Sequence, residues 1–176
     1  MRRIVLTYGL IAGAILSAMM VLTIPFMDRI GFDRGAIIGF TTMVLAFLMI
    51  FFGVRSYRDT VGGGSVTFAQ AFALGLLIAL VATVCYVITW QLLYYQFMPD
   101  FADKYAAHAI EKARAAGASA DELTRLSQEM DAFAVAYRNP LINIGYTFLE
   151  PLPVGFVLTA VTAAILGRKE KAPMPN

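Results

Sequence analysis

The chain has 176 residues, of which 59% are hydrophobic and only 15% charged, and its net charge is +2. That is more apolar surface than a soluble domain of this length buries inside itself, so a membrane protein is expected; the small net charge excludes the basic footprint of a nucleic-acid binder. One cysteine, Cys85, and one histidine, His108, rule out a disulfide framework or a zinc or iron-sulfur centre within one chain, and no cofactor or metal is expected.

A bilayer core about 30 Å thick takes roughly 20 apolar residues of helix. Residues 4–27 are the first such run and carry no charge. Arg2 and Arg3 give the run a basic start like that of a secretory leader. It is too long for a leader's core, however, and no small-x-small cleavage site precedes Asp28, so it is expected to remain as a span. Residues 36–54 form the second run.

The stretch GVRSYRDTVGGGSVTFAQAF, residues 53–72, follows. Thr67 with Gln70 three residues later is a capping box, so the next helix starts there. Gly62, Gly63 and Gly64 lead into that start, where backbone N–H groups could receive an anion, and Arg55 and Arg58 could add bidentate contacts to a phosphate. With Tyr57 they form a candidate lipid-headgroup site. No Lys-Ser or Lys-Thr follows the glycines, which excludes a nucleotide-binding P-loop. The plainer reading is a tight turn whose arginines reach lipid headgroups.

Residues 68–97, the third run, are interrupted only by Gln70, Gln91 and Gln96. Tyr86, Trp90 and Tyr94 recur at four-residue steps, with Gln91 beside them. They are either an interfacial aromatic belt, which fits Tyr94 better than Tyr86, or a polar-edged face turned into the bundle. Small residues recur at helix-packing intervals: Gly9, Gly13 and Ser17; Gly35 and Gly39; Ala71, Gly75 and Ala79; Ala160 and Ala164. They fit a tight bundle or a homo-oligomer equally.

Residues 98–139 are the one polar stretch and are expected to form a helical hairpin. Leu123, Leu126, Met130, Phe133 and Tyr137 fall on one helical stripe. Ser119 with Glu122 is a second capping box, and Gly117 ends the helix before it. His108 reads as surface.

The fourth run, residues 141–167, contains Glu150 against Pro151 and Pro153. Proline withholds an N–H and disfavours helical backbone in the residue before it, so the helix is expected to break near Leu149 and restart around Pro151. Glu150 then sits beside the new N-terminus, toward one face of the bilayer, level with Trp90, Gln91 and Tyr94. These four make a candidate intramembrane polar site. Glu150 is either a structural lock or a titrating, substrate-facing acid.

Four spans put both termini on one side. Seven basic residues fall on each side, but Arg2, Arg3, Arg55, Arg58, Arg168, Lys169 and Lys171 abut helix ends as short clusters. The opposing set is mostly spread through the long loop among seven acids. Cytoplasmic termini and an extracytoplasmic hairpin are therefore expected.

Three stretches carry a resemblance: Tyr57 to Gly75, with YRD, GGG and F-x-Q-A-F-x-x-G; Tyr86 to Trp90, YVITW; and Phe148 to Gly155, FLEPLPVG. Over nearly its whole length the chain resembles a bacterial integral-membrane family of unknown function, DUF4199. The resemblance implies a small four-span protein of a bacterial inner membrane and supplies no activity. The expected architecture is thus an all-α membrane protein of four transmembrane helices, with a hairpin between the third and fourth. The expected function is non-enzymatic binding of membrane lipid or a membrane partner. The rival is a small oligomeric transporter or channel using Glu150 as a proton- or ion-responsive acid.

Overall fold

The computed structural model describes residues 1–167, so Arg168, Lys169 and Lys171 of the orientation argument lie outside the described residues. Every regular element described is a helix. Helix α1 spans Arg2–Thr23 and passes through a 3-10 turn, Ile24–Phe26, into the short α2, Met27–Ile30. Gly31, at φ +76°, turns the chain into α3, Phe32–Thr60. Then come α4 (Phe68–Phe97), α5 (Phe101–Ala115), α6 (Ala120–Tyr137), α7 (Pro140–Leu149) and α8 (Leu152–Leu166).

Four helical stretches are long and apolar enough to cross a membrane: Arg2–Ile30, Phe32–Thr60, Phe68–Phe97 and Pro140–Leu166. The third coincides with its apolar run. The second is longer than its run at both ends, because hydropathy marks where a helix meets lipid and not where its hydrogen-bond ladder stops. Arg55, Tyr57 and Arg58 consequently lie on the last turns of α3 and not in a loop.

Helix α4 is the axis of the bundle and packs against α1, α3, α7 and α8. Glycine makes the closest of these approaches possible. A Cβ added at Gly9 would lie 2.7 Å from Val81 Cβ, and one at Gly13 would lie 2.6 Å from Cys85 Cβ. One turn on, the Ser17 and Thr89 hydroxyls are hydrogen-bonded at 2.7 Å. The opposite face of α4 receives α8, where a Cβ on Gly75 would come within 2.8 Å of Thr159 Cγ2. The other two small-residue pairs do not act this way. Ala160 is half-buried and Ala164 exposed, because the register set by Gly155 carries Thr159, Thr162 and Ala163 into the interface instead. Gly39 meets nothing within 4 Å. Phe47, Met43, Ile50, Leu74 and Ile78 fill the centre with no more than 1% exposure.

Helices α5 and α6 pack against each other. Gly117 at φ +86° closes α5, with the Ala118 N–H donating to the Ala113 carbonyl at 3.1 Å, a Schellman-type cap. At the start of α6 the Glu122 carboxylate accepts from the Ser119 N–H at 2.8 Å while the Ser119 hydroxyl accepts from the Glu122 N–H at 3.4 Å. The Thr67–Gln70 box at the start of α4 has the same two bonds. The stripe from Leu123 to Tyr137 is the less exposed face of α6.

Candidate functional site

The break between α7 and α8 arises differently from the expectation. Glu150 stays helical at φ −62° and ψ −51°, and Pro151 at φ −80° and ψ −13°. The chain does not rotate out of the helix; it runs short of donors. Pro151 and Pro153 have no N–H to offer the carbonyls of Thr147 and Leu149, so the ladder lapses while the backbone continues. Glu150 caps α7, giving its N–H to the Tyr146 carbonyl at 3.2 Å, and stands just ahead of α8.

The side-chain partner of Glu150 is Tyr86, whose hydroxyl donates to Oε2 at 2.8 Å. Trp90, Gln91 and Tyr94 are hydrogen-bonded or packed elsewhere. The Trp90 indole donates to the Tyr137 hydroxyl at 3.0 Å, and Gln91 Nε2 to Asn143 Oδ1 at 2.7 Å. Tyr94 is buried in an aromatic cluster with Tyr137, ring centroids 5.6 Å apart. The Gln91–Asn143 bond sets the register of α7 on α4. Glu150, seven residues past Asn143, therefore lies about 10 Å deeper along the helix, beyond reach of Trp90 and within reach of Tyr86.

Asn143 and Tyr86 are the two polar partners the sequence reading missed. Both carried a signal. Asn143, Thr147 and Glu150 recur at i, i+4 and i+7, a polar stripe on an otherwise apolar segment, and Tyr86 is the member of the aromatic line that fits an interfacial belt worst. Asn143 is fully buried, its Nδ2 donating to the Tyr137 carbonyl at 3.4 Å and its own carbonyl accepting from the Thr147 hydroxyl at 2.8 Å.

At this level the bundle opens. Helix α3 runs along α8 but has at most marginal contact with α7. Between α1, α3 and α7, under the α5–α6 pair, lies a cavity of about 530 Å³, and Glu150, Tyr86, Trp90 and Gly39 line it. Its size falls in the range of roughly 300–1,000 Å³ usual for ligand sites. One wall is a chain of touching rings: Trp90 to Phe101 at 4.8 Å, Tyr105 to Phe133 at 5.8 Å, and Phe133 to Tyr137 at 5.2 Å. Met19, Met20, Met27 and Met43 also line the cavity. Glu150 is the sole Asp, Glu, Lys, Arg or His in the lining among the described residues.

Helix α5 covers the cavity through side chains. Phe32 of α3 packs against Phe101, Tyr105 and His108, the last at 5.2 Å, which leaves His108 half-buried. Lys112 pairs with Asp33 at 2.6 Å and Lys104 with Asp28 at 3.9 Å. Such exposed pairs orient the helix more than they stabilise it.

Magnitudes show what the acid lacks. An ionised carboxylate at the centre of a membrane helix costs about 3 kcal/mol, whereas a hydrogen bond between membrane helices is worth about 0.6 kcal/mol on average. The Tyr86 bond is the one hydrogen bond to this carboxylate among the described residues, and it would offset only part of that cost were the acid ionised at the centre of a bilayer.

The second candidate site is arranged as a closed turn. Arg58 Nε donates to Asp59 Oδ1 at 2.8 Å, and Arg55 Nε lies 3.7 Å from Asp59 Oδ2. The Gly62 N–H donates to the Tyr57 carbonyl and the Gly64 N–H to the Arg58 carbonyl, both at 2.9 Å, so these amides cap α3 and do not face an anion. Gly63 and Gly64 adopt φ of +59° and +87°, which suits glycine in such a turn. No group of three or more His, Cys, Asp or Glu able to hold a metal occurs among the described residues.

Neither a curated protein nor a solved structure matches the chain. A family described as "Protein of unknown function (DUF4199)" matches residues 7–168. With nearly all its length matched, including the tyrosine-arginine-aspartate turn and the glutamate-proline break, the chain belongs to this family.

Proposed function

We propose that this is a non-enzymatic membrane protein that binds an apolar or amphiphilic molecule from the bilayer in the cavity beneath α5 and α6. The observation that carries the reading is the cavity itself: predominantly apolar, ligand-sized, and formed where α3 parts from α7. In this reading the α5–α6 pair is the extracytoplasmic hairpin, both termini are cytoplasmic in a bacterial inner membrane, and Arg55 and Arg58 lie among lipid headgroups. The clustering of basic residues at the ends of α1 and α3 supports that orientation.

Trp90 is the chain's one tryptophan and lines the cavity, so it reports occupancy directly. In bilayers of lipid brominated on the acyl chain, Trp90 fluorescence is expected to be quenched. Gly39→Phe places a ring in the cavity where a Cβ meets nothing, and should relieve that quenching. Equal quenching in both proteins would mean the bromine reaches Trp90 from surrounding lipid, and the reading would fall.

The helix break at Glu150 favours a second reading, a small transporter. Below the cavity, however, Phe47, Ile50, Leu74 and Ile78 close the bundle, so passage would require this packing to part. A pH-dependent flux in proteoliposomes, lost in Glu150→Gln, would establish it.

A further inference from the structure

Accepting that the cavity holds a ligand, we infer that the ligand is a lipophilic organic cation, a quaternary ammonium, phosphonium or protonated amine on an apolar body, with Glu150 as its counter-ion. Four observations converge on this class. The lining holds one acid, Glu150, and no basic residue among those described. An anionic or phosphate-headed ligand would therefore find no positive side chain in the lining to receive it.

The rings come second. Trp90, Phe101, Tyr105, Phe133 and Tyr137 form a continuous aromatic wall, and the negative faces of such rings attract weakly hydrated cations, tryptophan most strongly. This also separates organic from inorganic cations. Sodium or magnesium needs several oxygen ligands to replace its water, and the lining offers one carboxylate with a few hydroxyls among mostly apolar side chains.

Third, Tyr86 engages Oε2 alone, so the other carboxylate oxygen remains to meet a positive charge. Fourth, the four methionines of the lining are unbranched and polarisable and can repack around bodies of different shape. A cation also supplies a charged partner for the ionised acid in a mostly apolar cavity.

The test uses two probes of the same size and shape and opposite charge, tetraphenylphosphonium and tetraphenylborate, with purified full-length protein in detergent micelles. Equilibrium dialysis of radiolabelled tetraphenylphosphonium should show saturable binding to the native chain that excess tetraphenylborate does not displace. Glu150→Gln keeps an oxygen to accept from Tyr86 and should weaken binding about tenfold, equivalent to ~1.4 kcal/mol. Tyr86→Phe should retain binding. Equal uptake of the two ions by the native chain, or no change in Glu150→Gln, would overturn the assignment. Should Glu150→Gln fail to fold, the preference of the native chain between the two ions still decides. If tetraphenylphosphonium does not bind while brominated lipid still quenches Trp90 in the Gly39-dependent way, the charge assignment alone is wrong. Loss of both effects would remove the cavity's role altogether.

Discussion

Where α1 crosses α4 at Gly13, one added carbon would sit 2.6 Å from its neighbour; at Gly39 on α3, the same carbon would meet nothing within 4 Å. Both glycines lie in apolar helices at four-residue spacing from another glycine, and by sequence they look alike. What separates them is what each one faces: Gly13 lies on the seam between α1 and α4, whereas Gly39 lies on the side of α3 that borders the cavity. Away from the α5–α6 pair, α8 fills the space beside α3 and α4. Toward it, the lapse in the ladder at Pro151 and Pro153 coincides with the parting of α7 from α3, and Gly39 faces the resulting cavity. Small residues in a membrane helix thus serve close packing in one place and leave room in another.

The most forceful way to break this comparison is to substitute the two glycines alike. Gly13→Leu should destabilise the bundle by about 1–3 kcal/mol, the usual cost of overpacking, because Cys85 Cβ and Sγ lie in the way. Gly39→Leu should leave stability unchanged or raise it, since the side chain enters open space and a helical glycine is relieved. Thermal unfolding in detergent, followed by retention of the monodisperse peak, distinguishes them. Comparable losses in both variants would mean that the cavity is filled by the protein itself in solution.

A smaller effect sharpens the account of how α7 is set on α4. Asn143→Leu strands the Gln91 amide that now donates to Asn143 Oδ1 at 2.7 Å, and should cost about 1 kcal/mol. Adding Gln91→Leu should recover much of that loss, because an apolar pair has no unpaired donor. A double variant no better than the single would show that Asn143 acts chiefly through its bonds within α6 and α7, to the Tyr137 carbonyl and from the Thr147 hydroxyl.

These contrasts also mark what was legible in the sequence. The spans were, because the length of an apolar run records the thickness of the layer it crosses. So were the starts of α4 and α6, since Thr67 with Gln70 and Ser119 with Glu122 complete their bonds within three residues. The cavity was not legible, since it depends on how far α3 and α7 diverge, and these segments lie far apart in the chain. The partner of Glu150 fell between the two. Its depth was judged by levelling the ends of antiparallel helices, whereas the Gln91–Asn143 bond fixes the true offset and puts the acid opposite Tyr86. At the arginine turn the sequence showed the glycines but not their bonds: the amides of Gly62 and Gly64 donate to carbonyls at the end of α3.

The least forceful test lies outside the spans and concerns the edge of the cover. The Ser119 N–H and hydroxyl hold the Glu122 carboxyl below the usual carboxylate range. A carboxyl whose pKa is lower folded than unfolded stabilises fully above its unfolded value, and that contribution disappears as pH falls through the folded one. The first turn of α6 should therefore fray in acid, within and below the ordinary carboxylate range, and should be insensitive to pH near neutrality. Amide hydrogen exchange at residues 120–123 would show this as a rise in opening once the intrinsic pH dependence of exchange is removed, and Glu122→Gln should abolish the pH dependence. The effect should stay at that turn, because the wall facing the cavity belongs to the other end of α6, at Phe133 and Tyr137, where ring packing holds the helix. Fraying that spread to those rings would instead make the cover one cooperative unit, and acid would then open the cavity along with the cap.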